Sequence, residues 1–188
     1  MATLERKDYH HGDLRRALIA SAREILATGE GFSLRAVAKR AGVSPTATYR
    51  HFEDRKALES AVAGQGYREL HGYLEEAVGE VNGLGDAWKV AVAYAQWALD
   101  NPAIFSLMFT TDCDPQDTER TRAVAELKGF LTQEMVALAP ERATEDFIIA
   151  TWAFVHGITL LHAEGKLSTE APREMEERIR RSWGALMG

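Results

Sequence analysis

One stretch of this chain, residues 32–58 (F-S-L-R-A-V-A-K-R-A-G-V-S-P-T-A-T-Y-R-H-F-E-D-R-K-A-L), restricts its fold more than any other. Apolar residues recur there at the one-turn spacing of a short amphipathic helix, at Leu34, Val37, Ala38 and Ala41. Ser33 before them is a good N-cap, and Gly42 after them suits a helix that ends in a left-handed residue. Ser44 and Pro45 then have the residue types of the N-cap and first position of a second helix.

Two short helices joined through such a turn form a helix-turn-helix, whose second helix can enter the major groove of DNA. The spacing alone leaves a purely structural helix hairpin open as the alternative. The charge of the segment favours nucleic acid, because residues 33–51 contain four Lys and Arg and no acidic side chain.

The same residues resemble the DNA-binding domain of the tetracycline-repressor (TetR) family of bacterial transcription regulators. The resemblance covers about residues 9–60 and rests on A-G-V-S at the turn, T-x-T-Y-R-H-F after it, and a basic residue three positions after Phe52. It implies an all-α homodimer with an N-terminal DNA-binding domain and a C-terminal domain for ligand binding and dimerisation. The family usually has Lys three positions after this Phe. Here Arg55 keeps the charge but offers a planar fork of donors.

The resemblance also assigns DNA-contacting roles to nine residues. Bases are expected to be read at the start of the second helix, by Pro45, Thr46 and Ala47. Phosphates are expected to be held by Ser33, Tyr49, His51 and Arg55. Arg35 is expected to reach a base edge or a phosphate, and Arg50 to join either group.

The charge of the chain is unevenly divided along its length. The net charge of −6 would by itself argue against a nucleic-acid partner. Residues 1–56, however, hold 11 Lys and Arg against 7 Asp and Glu, a net +4, whereas residues 57–188 hold 11 against 21, a net −10. A basic first part on an acidic body localises the DNA-facing surface. We therefore predict a helix-turn-helix DNA-binding domain at 1–56 and a helical ligand-binding and dimerisation domain at 57–188.

The rest of the chain predicts helices throughout, because no run of alternating β-branched residues appears. The fold class is therefore all-α, with about nine helices and a three-helix N-terminal domain. Outside the helix-turn-helix, the expected helices occupy about 13–28, 54–81, 88–99, 102–109, 118–138, 144–164 and 171–187.

Most aromatic side chains fall in the C-terminal domain, including all four Trp. Seven residues are candidates to line an apolar effector pocket: Trp97, Phe105, Met108, Phe109, Phe130, Trp152 and His156. Aromatics at helical spacing can equally be core. Trp152 and His156 share one helix face, and W-x-x-x-H-G resembles a signature of one TetR subgroup. His156 is either the polar contact of the pocket or a core histidine with a satisfied hydrogen bond.

A symmetric dimer is expected to form through the helices near 144–164 and 171–187. The first of these is apolar nearly all round, so it must be covered on two sides, and a second copy of the chain can cover one of them. A monomeric core helix is the alternative. The resemblance implies a repressor that leaves its double-stranded operator when a small-molecule effector binds. A DNA-binding protein without an inducer, constitutive or corepressor-dependent, is the second interpretation.

Other functions find little support. No nucleophile held by a base, phosphate-cradling glycine loop or paired-carboxylate arrangement is recognisable, so we predict no enzyme activity, cofactor or metal. A helical enzyme or carrier with an incidental helix-turn-helix is the remaining rival. The single cysteine, Cys113, cannot form an intrachain disulfide. With no apolar leader and no run of 18 apolar residues, we expect a cytoplasmic protein without a membrane partner.

Overall fold

The computed structural model describes residues 11–110, 117–167 and 172–187, with the backbone alone at 11–13 and 172. These ranges contain nine α-helices, one short 3-10 helix (Leu84–Asp86) and no strand, which confirms the all-α prediction. The helices are α1 (His11–Thr28), α2 (Leu34–Arg40), α3 (Pro45–Tyr49), α4 (Arg55–Val78), α5 (Trp88–Asp100), α6 (Pro102–Thr110), α7 (Thr118–Leu138), α8 (Glu145–Ala163) and α9 (Pro172–Met187).

The turn between α2 and α3 has the predicted chemistry. The Ser33 hydroxyl accepts a hydrogen bond from the backbone N–H of Ala36 at 3.1 Å, which caps α2. Gly42 has φ +69°, and the N–H of Val43 returns to the carbonyl of Ala38 at 3.0 Å. This is a Schellman ending, which needs a residue that tolerates positive φ. Ser44 then caps α3, so the helix-turn-helix is confirmed.

One core runs through the N-terminal helices and on into the rest of the molecule. Leu18 and Ile25 of α1, Val37 of α2 and Phe52 are buried together with Leu58 at the start of α4. The same cluster continues along α4 to residues of α5, α6 and α7. The predicted boundary between 56 and 57 thus falls inside α4, and the division into two domains stays a prediction.

Helix α4 is the central element of the larger C-terminal part. It packs against α5, α6 and α7, while α8 and α9 pack on α5. Gly66 allows the closest approach along α4, because a Cβ there would lie 2.8 Å from Cγ2 of Ile104 and 2.8 Å from Sδ of Met108. Helix α4 ends at Val78, three residues before the predicted end. Cys113 lies outside the described residues.

Helix α8 leaves much of its apolar surface uncovered. It is long and apolar enough, by length and composition alone, to cross a membrane, with a mean hydropathy of 1.3. Ile149 and Trp152 are each 51% exposed, and Leu160 and Leu161 are also exposed. The sequence predicted burial on two sides. Within the described residues α8 packs on α5 and contacts α9, where the rings of Phe154 and Trp183 lie 6.1 Å apart, and the four side chains named above are left exposed. Another surface is needed to cover the second side.

Candidate functional site

A surface depression lies where α2, α3 and α4 meet. It is lined by Ser33, Leu34, Arg35, Tyr49, Glu53, Asp54 and Arg55. Four of the nine residues predicted to contact DNA, Ser33, Arg35, Tyr49 and Arg55, are therefore brought together on one surface. Tyr49 is 51% exposed, which is high for an aromatic side chain and leaves its hydroxyl accessible to a partner.

The other five predicted residues lie on or just after α3. Pro45, Thr46 and Arg50 are exposed, whereas Ala47 and His51 are half-buried. Thr48 points inward and is fully buried, so the two faces of this short helix are clearly divided. The exposed face carries small side chains followed by Tyr49 and Arg50, which lets the backbone approach a ligand surface closely.

Arg55 is held by two neighbours. Its Nε donates to Glu59 Oε1 at 2.7 Å, one turn along α4, and its guanidinium lies 5.2 Å from the centre of the Phe32 ring. A planar guanidinium can pack on a ring and pair with a carboxylate at the same time, which an ammonium does less well. The departure from the family's usual Lys is therefore matched by a local arrangement that orients the arginine.

Acidic side chains at the depression were not anticipated from the sequence. Asp54 caps α4 by accepting from the N–H of Ala57 at 2.8 Å, so part of its charge is used within the fold. Glu53 is exposed beside it. Nearby, the guanidinium of Arg40 donates hydrogen bonds to the carboxylates of Glu24 and Glu30, which raises the pKa of Arg40 and leaves Arg35 as the more available arginine of α2.

The predicted pocket residues instead form an aromatic cluster. The rings of Phe105, Phe109 and Trp152 surround His156, with ring centres 4.4–6.2 Å from the imidazole. The Tyr94 hydroxyl lies 3.0 Å from His156 Nδ1. Burial lowers the pKa of His156 and raises that of Tyr94, so both are uncharged near neutral pH. His156 thus has a hydrogen-bond partner within the fold, and its role as a polar contact of a pocket or as a core histidine stays a prediction.

The remaining predicted pocket residues are placed in the packed interior. Trp97 and Met108 are buried, and Phe130 packs half-buried against His71 with ring centres 4.8 Å apart. None of these three lines the cavity described next.

An apolar cavity of about 90 Å³ lies between α4, α5, α7, α8 and α9. Its wall consists of Leu74, Val78, Ala87, Val90, Ala91, Tyr94, Leu131, Glu134, Met135, Leu138, Ile148, Thr151, Trp152, Val155 and Trp183. Only Trp152 of the seven predicted pocket residues belongs to this wall. The prediction chose aromatics by residue type, whereas the wall is mostly aliphatic and drawn from five helices, and local sequence carries no signal for that convergence.

Two family models match the chain. The model "Bacterial regulatory proteins, tetR family" matches residues 18–62, and "Tetracyclin repressor-like, C-terminal domain" matches residues 88–186. The first covers the helix-turn-helix, and the second covers α5 and nearly all that follows. Together they account for both the surface depression and most of the cavity wall.

The chain is also similar to individual proteins. An uncharacterised HTH-type transcriptional regulator of Haemophilus influenzae is 28% identical over 63% of this chain, which spans 60% of that relative's length. One of Bacillus subtilis is 24% identical over 74% of this chain and 73% of its own length. A Rhodococcus protein of unknown function superposes with a TM-score of 0.76 at 30% identity, covering 95% of this chain and 97% of that one.

Proposed function

Because the chain belongs to the TetR family of transcriptional regulators, we propose that it binds operator DNA as a dimer under the control of a small molecule held in the apolar cavity. The observation that carries the proposal is the convergence of Ser33, Arg35, Tyr49 and Arg55 on one surface beside α3. Basic and hydroxyl groups so arranged suit phosphates flanking a helix in the major groove.

The proposed roles follow from exposure and geometry. Pro45, Thr46 and Ala47 would face the bases, because small side chains let α3 lie deep in the groove. Arg35 and Arg50 are exposed and are the candidates for base-edge or phosphate contacts. Ser33, Tyr49, His51 and Arg55 would hold phosphates and fix the register.

Helix α4 supplies the physical link between the two sites. Arg55 at its first turn lines the surface depression, while Leu74 and Val78 near its other end line the cavity. Twenty-four residues of helix span about 36 Å at 1.5 Å per residue. A ligand that shifts the cavity end of α4 would move the DNA-facing end as part of the same rigid element. Repression relieved by ligand is the direction we propose.

Dimerisation is proposed through α8 and α9. The exposed apolar residues of α8, together with Leu186 of α9, which is 50% exposed, form the surface available to a second copy. A two-fold dimer presents two recognition helices to half-sites about 34 Å apart.

The test is selection of a randomised duplex pool by the purified protein at near-physiological salt. We expect enrichment of a two-fold symmetric sequence. Arg35→Ala and Tyr49→Ala should each weaken binding to it by about 1–3 kcal/mol, which is about fivefold to 150-fold in affinity.

Arg122→Ala is the matched control, because it removes one exposed arginine from α7, away from the depression, and should leave affinity nearly unchanged. An equal loss of DNA affinity in all three variants would indicate a non-specific effect of the substitutions. A failure to enrich any sequence, with or without cell extract as a source of corepressor, would contradict the proposal.

A further inference from the structure

The cavity between α4, α5, α7, α8 and α9 has a wall that exposes almost only apolar atoms. Of the described residues in that wall, Glu134 alone is charged, and it is half-buried. Because so little polar surface faces the cavity, the carboxylate of Glu134 contributes almost nothing to it. A ligand inside would therefore meet carbon atoms on nearly every side.

The other polar groups of the wall are not available to a ligand. The indole N–H of Trp183 donates to the carbonyl of Leu84 at 3.0 Å, and the Tyr94 hydroxyl lies 3.0 Å from Nδ1 of His156. The Thr151 side chain lines the cavity, but its hydroxyl oxygen exposes almost no surface. The contacts of Trp183 and Tyr94 also hold both rings in place, so this part of the wall is preformed.

Such a wall excludes charged and strongly polar ligands. A polar group that leaves water for this site would lose its hydrogen bonds to water without replacing them, and a charged group would lose far more. Carboxylates, amines, sugars and phosphates are all disfavoured for this reason. The remaining sources of affinity are dispersion and the removal of apolar surface from water, and both favour an uncharged, hydrocarbon-like molecule.

The size of the ligand is limited by the volume of the cavity. About 90 Å³ is less than the roughly 150 Å³ of an engineered apolar cavity that stays dry and binds benzene. Two buried alanines leave this room, Ala87 directly before α5 and Ala91 one turn later. A larger side chain at either position would project into the space, and protein interiors otherwise leave few voids larger than a water molecule.

We infer that the cavity binds a compact, uncharged apolar molecule of at most one small ring, selected by its shape and by the exclusion of polar groups. The inference rests on the proposed function in taking this cavity as the effector site. It goes further in naming the chemical class of the effector and in assigning Ala87 and Ala91 as the residues that set its size.

The experiment titrates the full-length protein, without DNA, with three six-membered rings by calorimetry at neutral pH. Benzene has no polar atom, pyridine has one neutral acceptor, and piperidine is protonated at this pH. Benzene should bind and should raise the midpoint of thermal unfolding, because it binds the folded state alone. Pyridine should bind at least about fivefold more weakly than benzene, and piperidine more weakly than pyridine.

Variants of the wall test whether the binding takes place in this cavity. Ala91→Leu fills the space and should abolish the binding of benzene. Ala125→Leu is the matched control, since it makes the same change at an exposed position of α7 outside the wall and should keep that binding. Ala87→Val adds less volume than leucine and should weaken the binding of benzene, which keeps the test valid if Ala91→Leu does not fold.

Three outcomes would overturn the inference: no binding of benzene, equal affinity for the three rings, or benzene binding that is unchanged in the cavity-filling variants. Because these titrations contain no DNA, a failure of operator selection would instead count against the proposed function.

Discussion

The hydroxyl oxygen of Tyr94 lies 3.0 Å from Nδ1 of His156 and joins α5 to α8 inside a cluster of aromatic rings. The contact gives a half-buried imidazole a polar partner without a countercharge. Protonating His156 would place a positive charge in this surrounding, and burial accordingly lowers its pKa from the ordinary 6.5.

The first prediction concerns stability against pH. The pKa of His156 lies below 6.5 in the folded state. As the pH falls toward and below 6.5, the unfolded chain therefore binds more protons than the folded chain. The stabilisation is complete above the unfolded pKa and is lost as the pH falls toward the folded pKa. Urea unfolding between pH 7.5 and about pH 5 should show this decline.

His156→Asn should make that decline shallower, because asparagine offers a hydrogen-bonding group but does not titrate. Burial and the neighbouring Arg178 also lower the pKa of His162, so His162→Asn should remove a further part of the slope. Stability that rises on acidification would contradict both assignments.

A second prediction uses two glycines of α4. Gly66→Ala should destabilise the protein by about 1–3 kcal/mol, because its methyl group would overlap the buried side chains of Ile104 and Met108. Gly72→Ala meets nothing within 4 Å and should stabilise the helix by about 0.5–1 kcal/mol. Thermal unfolding of the two variants therefore separates close packing from helix propensity. A stabilising shift in Gly66→Ala would show that the approach at this residue is not tight.

The third prediction tests the exposed side of α8. Leu160→Asp should convert a dimer to a monomer in sedimentation velocity, because it places a charge within an apolar interface. Tyr73→Asp is the control, since this residue is similarly exposed but belongs to α4. The monomeric variant should also lose affinity for a two-fold symmetric duplex. Unchanged sedimentation would indicate that another surface, or a membrane, covers α8.

A fourth prediction concerns Arg55. Glu59→Gln removes the carboxylate that accepts from its Nε at 2.7 Å and frees the guanidinium to reorient. If the pair with Glu59 orients Arg55 toward a phosphate, the affinity of Glu59→Gln for DNA should change by less than about tenfold. The change should be almost equal for specific and random duplexes. Fluorescence anisotropy titrations with the two duplexes measure the ratio of the affinity for the specific duplex to that for the random duplex. A selective loss for the specific duplex would place Arg55 among the residues that read bases.

The sequence allowed the helix-turn-helix to be predicted in detail because its determinants are local. Ser33, Gly42 and Ser44 act on atoms within three to five residues of themselves, so their roles follow from short-range chemistry. The cavity could not be predicted in the same way. Trp183 reaches the wall from α9 and bonds to Leu84, 99 residues away, and no local pattern encodes that meeting.

The ring cluster shows a related limit. Sequence spacing placed Trp152 and His156 on one face of α8, and the structure agrees that their rings are neighbours, 6.2 Å apart. The spacing could not show that Tyr94 of α5 lies within hydrogen-bond distance of the imidazole or that Trp152 also lines a cavity. The side-chain types indicated that aromatic rings pack together here, but they did not indicate where a cavity remains.

The unbroken core beneath α1 and α4 affects how DNA specificity could be exchanged between relatives. Consider a hybrid regulator that takes residues 1–56 from one relative and the remainder from another. Its Arg23 would no longer meet the native Glu69 of α4, and its Arg15 would no longer meet the native Glu119 of α7, which lies 3.0 Å away in this chain. It would also set a foreign α1 against the resident α6. A transplanted DNA-binding domain should therefore bring these partners with it, because a loosened junction would weaken the connection through which we propose that an effector acts.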